Sequence, residues 1–123
     1  MKIKLDHLDQ LCSKIVRLRA NGVCEIGGEY NSLMACHCFG RGNKKVRYDL
    51  DNIVAGCMGH HQQIDSDPEY KRDVFIKRLG VKGYEKLKQR AYWPTMAKVD
   101  RKIIKMFLEK ELEKYAHSNE YGS

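Results

Sequence analysis

The chain has 123 residues, a formal net charge of +7 and 42% hydrophobic residues. That is the size of one domain with a modest core, and no apolar run approaches the roughly 20 residues that a membrane-spanning helix requires. A basic balance of this size favours a polyanionic partner, most simply nucleic acid. Residues 1–10 lack the apolar stretch of a secretory signal, so the expected compartment is the cytoplasm, where thiols stay reduced. There an odd count of five cysteines favours metal ligation over a disulfide framework.

In chain order, Leu5, Leu8, Leu11, Cys12, Ile15 and Leu18 fall on one face of a helix,, which Asn21-Gly22 should end. Cys12 lies on that apolar stripe and reads as a core thiol. "VCEIGGEYNSLMACHCF" predicts a β-hairpin that turns at Gly27-Gly28 and ends near Phe39. "GRGNKKVRYDLDN" reads as a loop carrying Arg41, Lys44, Lys45 and Arg47, with no acid before Asp49. A short extended piece, "NIVAGC", precedes a helix that starts near Cys57. Asp67-Pro68 opens a second helix, with proline at its first position and Gly80 as its C-terminal cap. "GYEKLKQRAYW" predicts another, closed by Pro94, with Tyr92 and Trp93 anchoring the helix junction. A long helix capped by Thr95 then carries Val99, Ile103, Ile104, Phe107, Leu108, Leu112 and Tyr115 as a wide apolar stripe. The fold class is α+β, with residues 1–66 as a core, 67–116 as a helical extension and 117–123 as a disordered tail.

The residues that carry chemistry crowd into positions 24–65. Cys57-x-x-His60 at a helix start has the spacing of a structural zinc half-site. Cys24 lies in "CEIGG", where a Cys-x-x-Cys knuckle would be expected, but Gly27 stands at its second position. Cys36 or Cys38 is then the expected source of the missing thiolate, although strand alternation points both to the face opposite His37. Without a metal, Cys24 and Cys57 would be small core residues. His61 and Asp65, four apart, share a helix face that lies about 100° from His60. An imidazole and a carboxylate so placed suit a divalent cation that keeps positions open for substrate. His37, at a strand end before the basic loop, has the chemistry of a general base. Asn52, at the loop's return, is placed to hold that loop.

Taken together, His37 in "ACHCFGR", Asn52 in "LDNIV" and His61 in "CMGHHQQID" resemble the HNH nuclease motif of the ββα-metal superfamily. The pattern is most similar to the phage NinG/Rap recombination proteins over about residues 8–114. That resemblance implies a ββα-metal core with a zinc-stapled hairpin, an N-terminal helix and a C-terminal helical extension. It implies a DNA endonuclease in which His37 is the general base, Asn52 orients it, and His61 and Asp65 hold Mg²⁺ or Mn²⁺. Structural Zn²⁺ would sit on Cys24, Cys57, His60 and one of Cys36 and Cys38, while Arg41, Lys44, Lys45 and Arg47 would contact phosphates. The implied substrate is branched DNA such as Holliday junctions, in the host cytoplasm of a phage pathway, which would need a second binding surface or a homodimer. Three positions depart from the family pattern. Gly27 and His60 stand where cysteines are usual, and Cys36 stands where an acid or histidine often precedes the first histidine. The competing expectations are a general HNH nicking enzyme, a non-catalytic zinc-containing DNA-binding module, and an adaptor that binds a partner protein through the last helix.

Overall fold

A computed structural model describes residues 4–94 and 100–121, with residues 117–121 described by backbone alone. Helix α1 spans His7–Ala20. Its start is fixed by a reciprocal capping box: the Asp9 amide donates to Asp6 and the Asp6 amide to Asp9, each at 2.9 Å,. Asn21, in the left-handed conformation (φ 52°), ends it where the sequence predicts.

The expected hairpin within residues 23–39 does not form. Val23 and Tyr30 make an isolated bridge around a tight turn. Strand β1, Met34–His37, instead pairs antiparallel with β2, Ile53–Gly56, in the register His37↔Ile53 and Met34↔Gly56. The chain between them is the basic loop, ending in a single 3₁₀ turn at Leu50–Asn52. Helix α2, Met58–Ser66, follows β2 directly.

Strand alternation divides the core in two. On one face Ile53 and Ala55 pack with Leu8, Cys12, Ile15 and Val16 of α1. On the other, Cys36 and Val54 pack with Ile64 of α2 and with Phe75, Tyr84 and Leu87 of helix α3, Pro68–Ala91. Every residue of β2 is buried, so two short strands suffice because helices cover both faces.

Helix α3 breaks at Gly80 (φ 77°, ψ 164°). Glycine adopts such a conformation without the penalty a Cβ would bring, and the sequence places a helix end there. Helix α4, Arg101–Tyr121, is capped by Asp100, whose carboxylate accepts from the Lys102 and Ile103 amides at 3.0 and 3.2 Å. The expected Thr95 cap and Val99 lie outside the described residues. The helix also continues beyond residue 116, where the sequence reading ends it. Its wide stripe is divided: Leu108, Ile104, Leu112 and Tyr115 pack toward α1, whereas Ile103, Met106 and Phe107 are exposed. Among the described residues no helix is long and apolar enough to cross a membrane.

A candidate metal centre beside a candidate histidine site

The tight turn after α1 is tied to β2 through Glu25. Its amide donates to Ala55 O and its carboxylate accepts from Ala55 N, both at 2.8 Å, while Arg19 and Arg78 pair with the same carboxylate at 2.8 and 3.1 Å. This anchoring sets Cys24 against the start of α2. The Cys24 sulfur receives two backbone amides, from Gly27 at 3.5 Å and from Cys57 at 3.4 Å. The Nδ1 atom of His60 lies 3.3 Å from Cys24 Sγ, 3.1 Å from Cys57 Sγ and 3.1 Å from Glu29 Oε1. Glu29 Oε1 is 3.5 Å from Cys57 Sγ.

Ligand atoms of Cys24, Glu29, Cys57 and His60 all lie within 4.8 Å of one another. Tetrahedral zinc, with bonds of about 2.0 Å to nitrogen or oxygen and 2.3 Å to sulfur, separates neighbouring ligand atoms by about 3.3–3.8 Å. The donor set and spacing therefore suit one metal ion and are compatible with structural zinc. Cys24, Cys57 and His60 converge as the sequence predicts; Cys36 and Cys38 do not join them. Both face the apolar core, where burial pushes their thiols up to about 12 and about 11. Glu29, unpredicted, takes the fourth corner. The Cys24 thiol beside it holds its carboxyl below the usual range.

His60 and His61 point to different places. His61 Nδ1 lies 3.5 Å from Asp65 Oδ2, with both side chains partly open to solvent. Among the described residues no third histidine, cysteine or carboxylate clusters with this pair.

His37 ends β1 on the sheet face opposite Cys36, as alternation requires. Burial, followed by the nearby Arg41 charge, pushes its imidazole down to about 4, so it is neutral at physiological pH. Asn52 is fully buried. Its Oδ1 accepts from the Phe39 amide at 2.8 Å, and its Nδ2 donates to Phe39 O at 2.8 Å and to Val46 O at 3.2 Å. One side chain thus clamps both backbone groups of the residue two positions past His37 and ties them to the middle of the basic loop.

The four loop cations divide. Arg47 is held by Asp9, with Nε to Oδ1 at 3.0 Å and Nη2 to Oδ2 at 2.6 Å, so its charge is spent on a buried acid and is not free for phosphate. Lys45 donates to Trp93 O, and Asn43 donates to Ala91 O at 3.0 Å, which pins the loop to the end of α3. Lys44 is exposed. Arg41 lies 3.7 Å from Asp9, and its buried Nε lacks a hydrogen-bond acceptor. Tyr92 meets Phe39 edge to face at 5.5 Å, while Tyr92 and Trp93 both remain largely exposed.

Comparison with protein families, curated proteins and solved structures finds no match.

Proposed function

We propose that the chain is a metal-dependent DNA endonuclease of the HNH kind, with β1, β2 and α2 as its ββα-metal core. The observation that carries this reading is the Asn52 clamp. A buried asparagine that binds both backbone groups just beyond His37 has a clear use if that histidine must be aimed. His61 on the following helix and the neutral state of His37 support the same reading.

In this mechanism His37 takes the proton of the attacking water. Its depressed basicity keeps it unprotonated and available across the physiological range. His61 and Asp65 present adjacent donors to a divalent ion such as Mg²⁺ or Mn²⁺, which would neutralise charge at the reacting phosphate and the leaving oxygen. Mg²⁺ suits a site with one or two protein ligands, because it retains waters and takes substrate phosphate oxygens. Arg41 and Lys44 are the loop cations left to meet backbone phosphates, which adds affinity without reading sequence. Zinc on the cysteine–histidine cluster would fix the start of α2. The NinG/Rap resemblance extends the proposal to branched DNA such as Holliday junctions, with a homodimer as one way to grip two arms.

A second reading is a zinc-containing DNA-binding module without catalysis. The observation favouring it is that, among the described residues, no third histidine, cysteine or carboxylate joins His61 and Asp65 to hold the catalytic ion.

The test is cleavage of a labelled four-way junction and of its matched linear duplex, with Mg²⁺ or Mn²⁺. His37→Ala is expected to lower the rate by about 10²–10⁴, the usual contribution of a general base. Equal cutting of both substrates would keep the nuclease and remove the junction preference. Salt-dependent binding without cutting by the wild type would leave the binding module.

A further inference from the structure

We propose that Glu29 is a metal ligand, and that the cluster is a Cys₂-His-Glu centre whose fourth corner is filled from the turn after Gly27. This goes beyond the nuclease reading and does not depend on it.

The turn has a place for a cysteine ligand at position 27, three residues after Cys24, and leaves it empty of any side chain. A Cβ built on Gly27 would lie 2.3 Å from His60 Cε1 and 2.4 Å from Glu29 Oε2. Both neighbours are themselves in the cluster, so they cannot swing away while all four donors remain together. A side chain at position 27 and the Glu29–His60 contact exclude each other. Glycine is thus what admits the carboxylate.

The surroundings separate ligands from spectators. Cys24 and Cys57 are 1% and 8% exposed, and Cys24 receives two backbone amides that fix its sulfur in place. Glu29 has a side chain 43% exposed, yet its Oε1 makes close contacts with both His60 and Cys57. The other candidates for the fourth corner, Cys36 and Cys38, point into the core between the sheet and α3. The centre therefore has two buried sulfurs, one partly exposed imidazole and one carboxylate facing water. It should bind Zn²⁺ or Co²⁺ as a closed four-ligand site. A structural site closed by an exposed carboxylate can exchange that ligand more readily than one closed by a buried thiolate.

The test is Co²⁺ titration of the full chain, read by thiolate-to-cobalt charge-transfer absorption and by the visible bands of tetrahedral Co²⁺, with Zn²⁺ competition giving relative affinity. The wild type should show two-thiolate intensity, and Cys36→Ala and Cys38→Ala should leave it unchanged. Glu29→Cys should raise the charge-transfer intensity by about half, as a third thiolate joins two. Glu29→Gln should weaken binding at least about 10-fold, since even outer-shell partners of metal sites contribute 10–100-fold. Gly27→Ala should weaken it likewise. Two results would overturn the proposal: unchanged affinity and spectrum in Glu29→Gln, or charge-transfer intensity lost in Cys36→Ala or Cys38→Ala. Failure of the wild type to bind either ion would overturn it as well. Glu29 is on the surface, so its variants should fold, and circular dichroism checks that. Cleavage activity is not a readout, so loss of the nuclease reading would leave this test intact.

Discussion

His60 and His61 are neighbours in sequence and belong to two different sites. His60 faces a crowded cluster in which four donors lie within 4.8 Å of one another and both sulfurs are buried. His61 is partly open to solvent and pairs with Asp65, whose side chain is 66% exposed. A metal held at the first position would have four protein donors and would serve the fold. One held at the second would keep most of its coordination sphere for water and substrate. The open/closed contrast separates structural from catalytic metal sites in general, and under the proposed reading one helix turn would carry both kinds.

The largest expected effect comes from opening the closed site. Structural zinc contributes about 10–16 kcal/mol of apparent free energy in small zinc-bound peptides, comparable with the roughly 5–15 kcal/mol stability of a whole domain. Cys57→Ser, or a strong chelator, should abolish the cooperative thermal transition followed by circular dichroism. His61→Ala should shift the midpoint by only a few degrees. A normal transition in Cys57→Ser would break the comparison.

Asn52→Ala comes next. It removes three hydrogen bonds from a fully buried side chain and strands the Phe39 amide, a loss of about 2–4 kcal/mol. The expected outcome is a lower denaturation midpoint with metal content unchanged, measured by denaturant titration and metal analysis. Metal loss in this variant would mean that the loop and the cluster are one unit.

The pH dependence is smaller. The unfolded chain protonates His37 near 6.5, whereas the folded chain holds it neutral down to about 4. Between these values the unfolded state binds more protons. Stability should therefore be full above pH 6.5, fall as pH drops toward 4 and level off below. Subtracting the profile of His37→Gln isolates this contribution from acid release of the metal. Asp6 acts in a lower window. Burial alone would raise its pKa, but the Tyr48 hydroxyl, the Asp9 amide and the Arg47 and Arg101 charges outweigh that and hold it at about 2. Its contribution is lost as pH falls from about 4 to 2.

The smallest effect belongs to Lys44→Ala. Stability should stay within about 0.5 kcal/mol, while the salt dependence of DNA binding should decrease by about one phosphate contact. An unchanged salt slope would remove Lys44 from the DNA surface.

Much of the frame was legible in the sequence because it depends on local pattern. The α1 stripe, the Asn21 stop, the Gly80 break and the convergence of Cys57 with His60 all follow from periodicity or short spacing. Asn52 was legible as a loop holder, though not the Phe39 groups it grips. The hairpin within residues 23–39 was misread because Gly27-Gly28 gives a strong turn signal, while the strand that pairs with β1 lies beyond a long loop. Glu29 escaped for a different reason: no spacing rule joins a turn glutamate to a helix start 28 residues later, and the two meet through tertiary ties such as the Glu25 anchor and the Cys57 amide on Cys24. The capture of Arg47 had a readable sign. Asp9 sits beside Leu8 and three residues before Cys12, on the buried side of α1, and a buried acid requires a cationic partner. The Arg–Asp contact spans 38 residues, which is why the loop alone suggested four free cations.

Because successive residues on a helix step by about 100°, the cluster that grips His60 also sets the rotational phase of α2. His61 cannot turn independently of its neighbour. Inserting or deleting one residue between Cys57 and His60 would rotate the face that carries His61 and Asp65 even if every named side chain survived. The cysteine side chains therefore act as an alignment key: by gripping His60 they fix which way His61 looks.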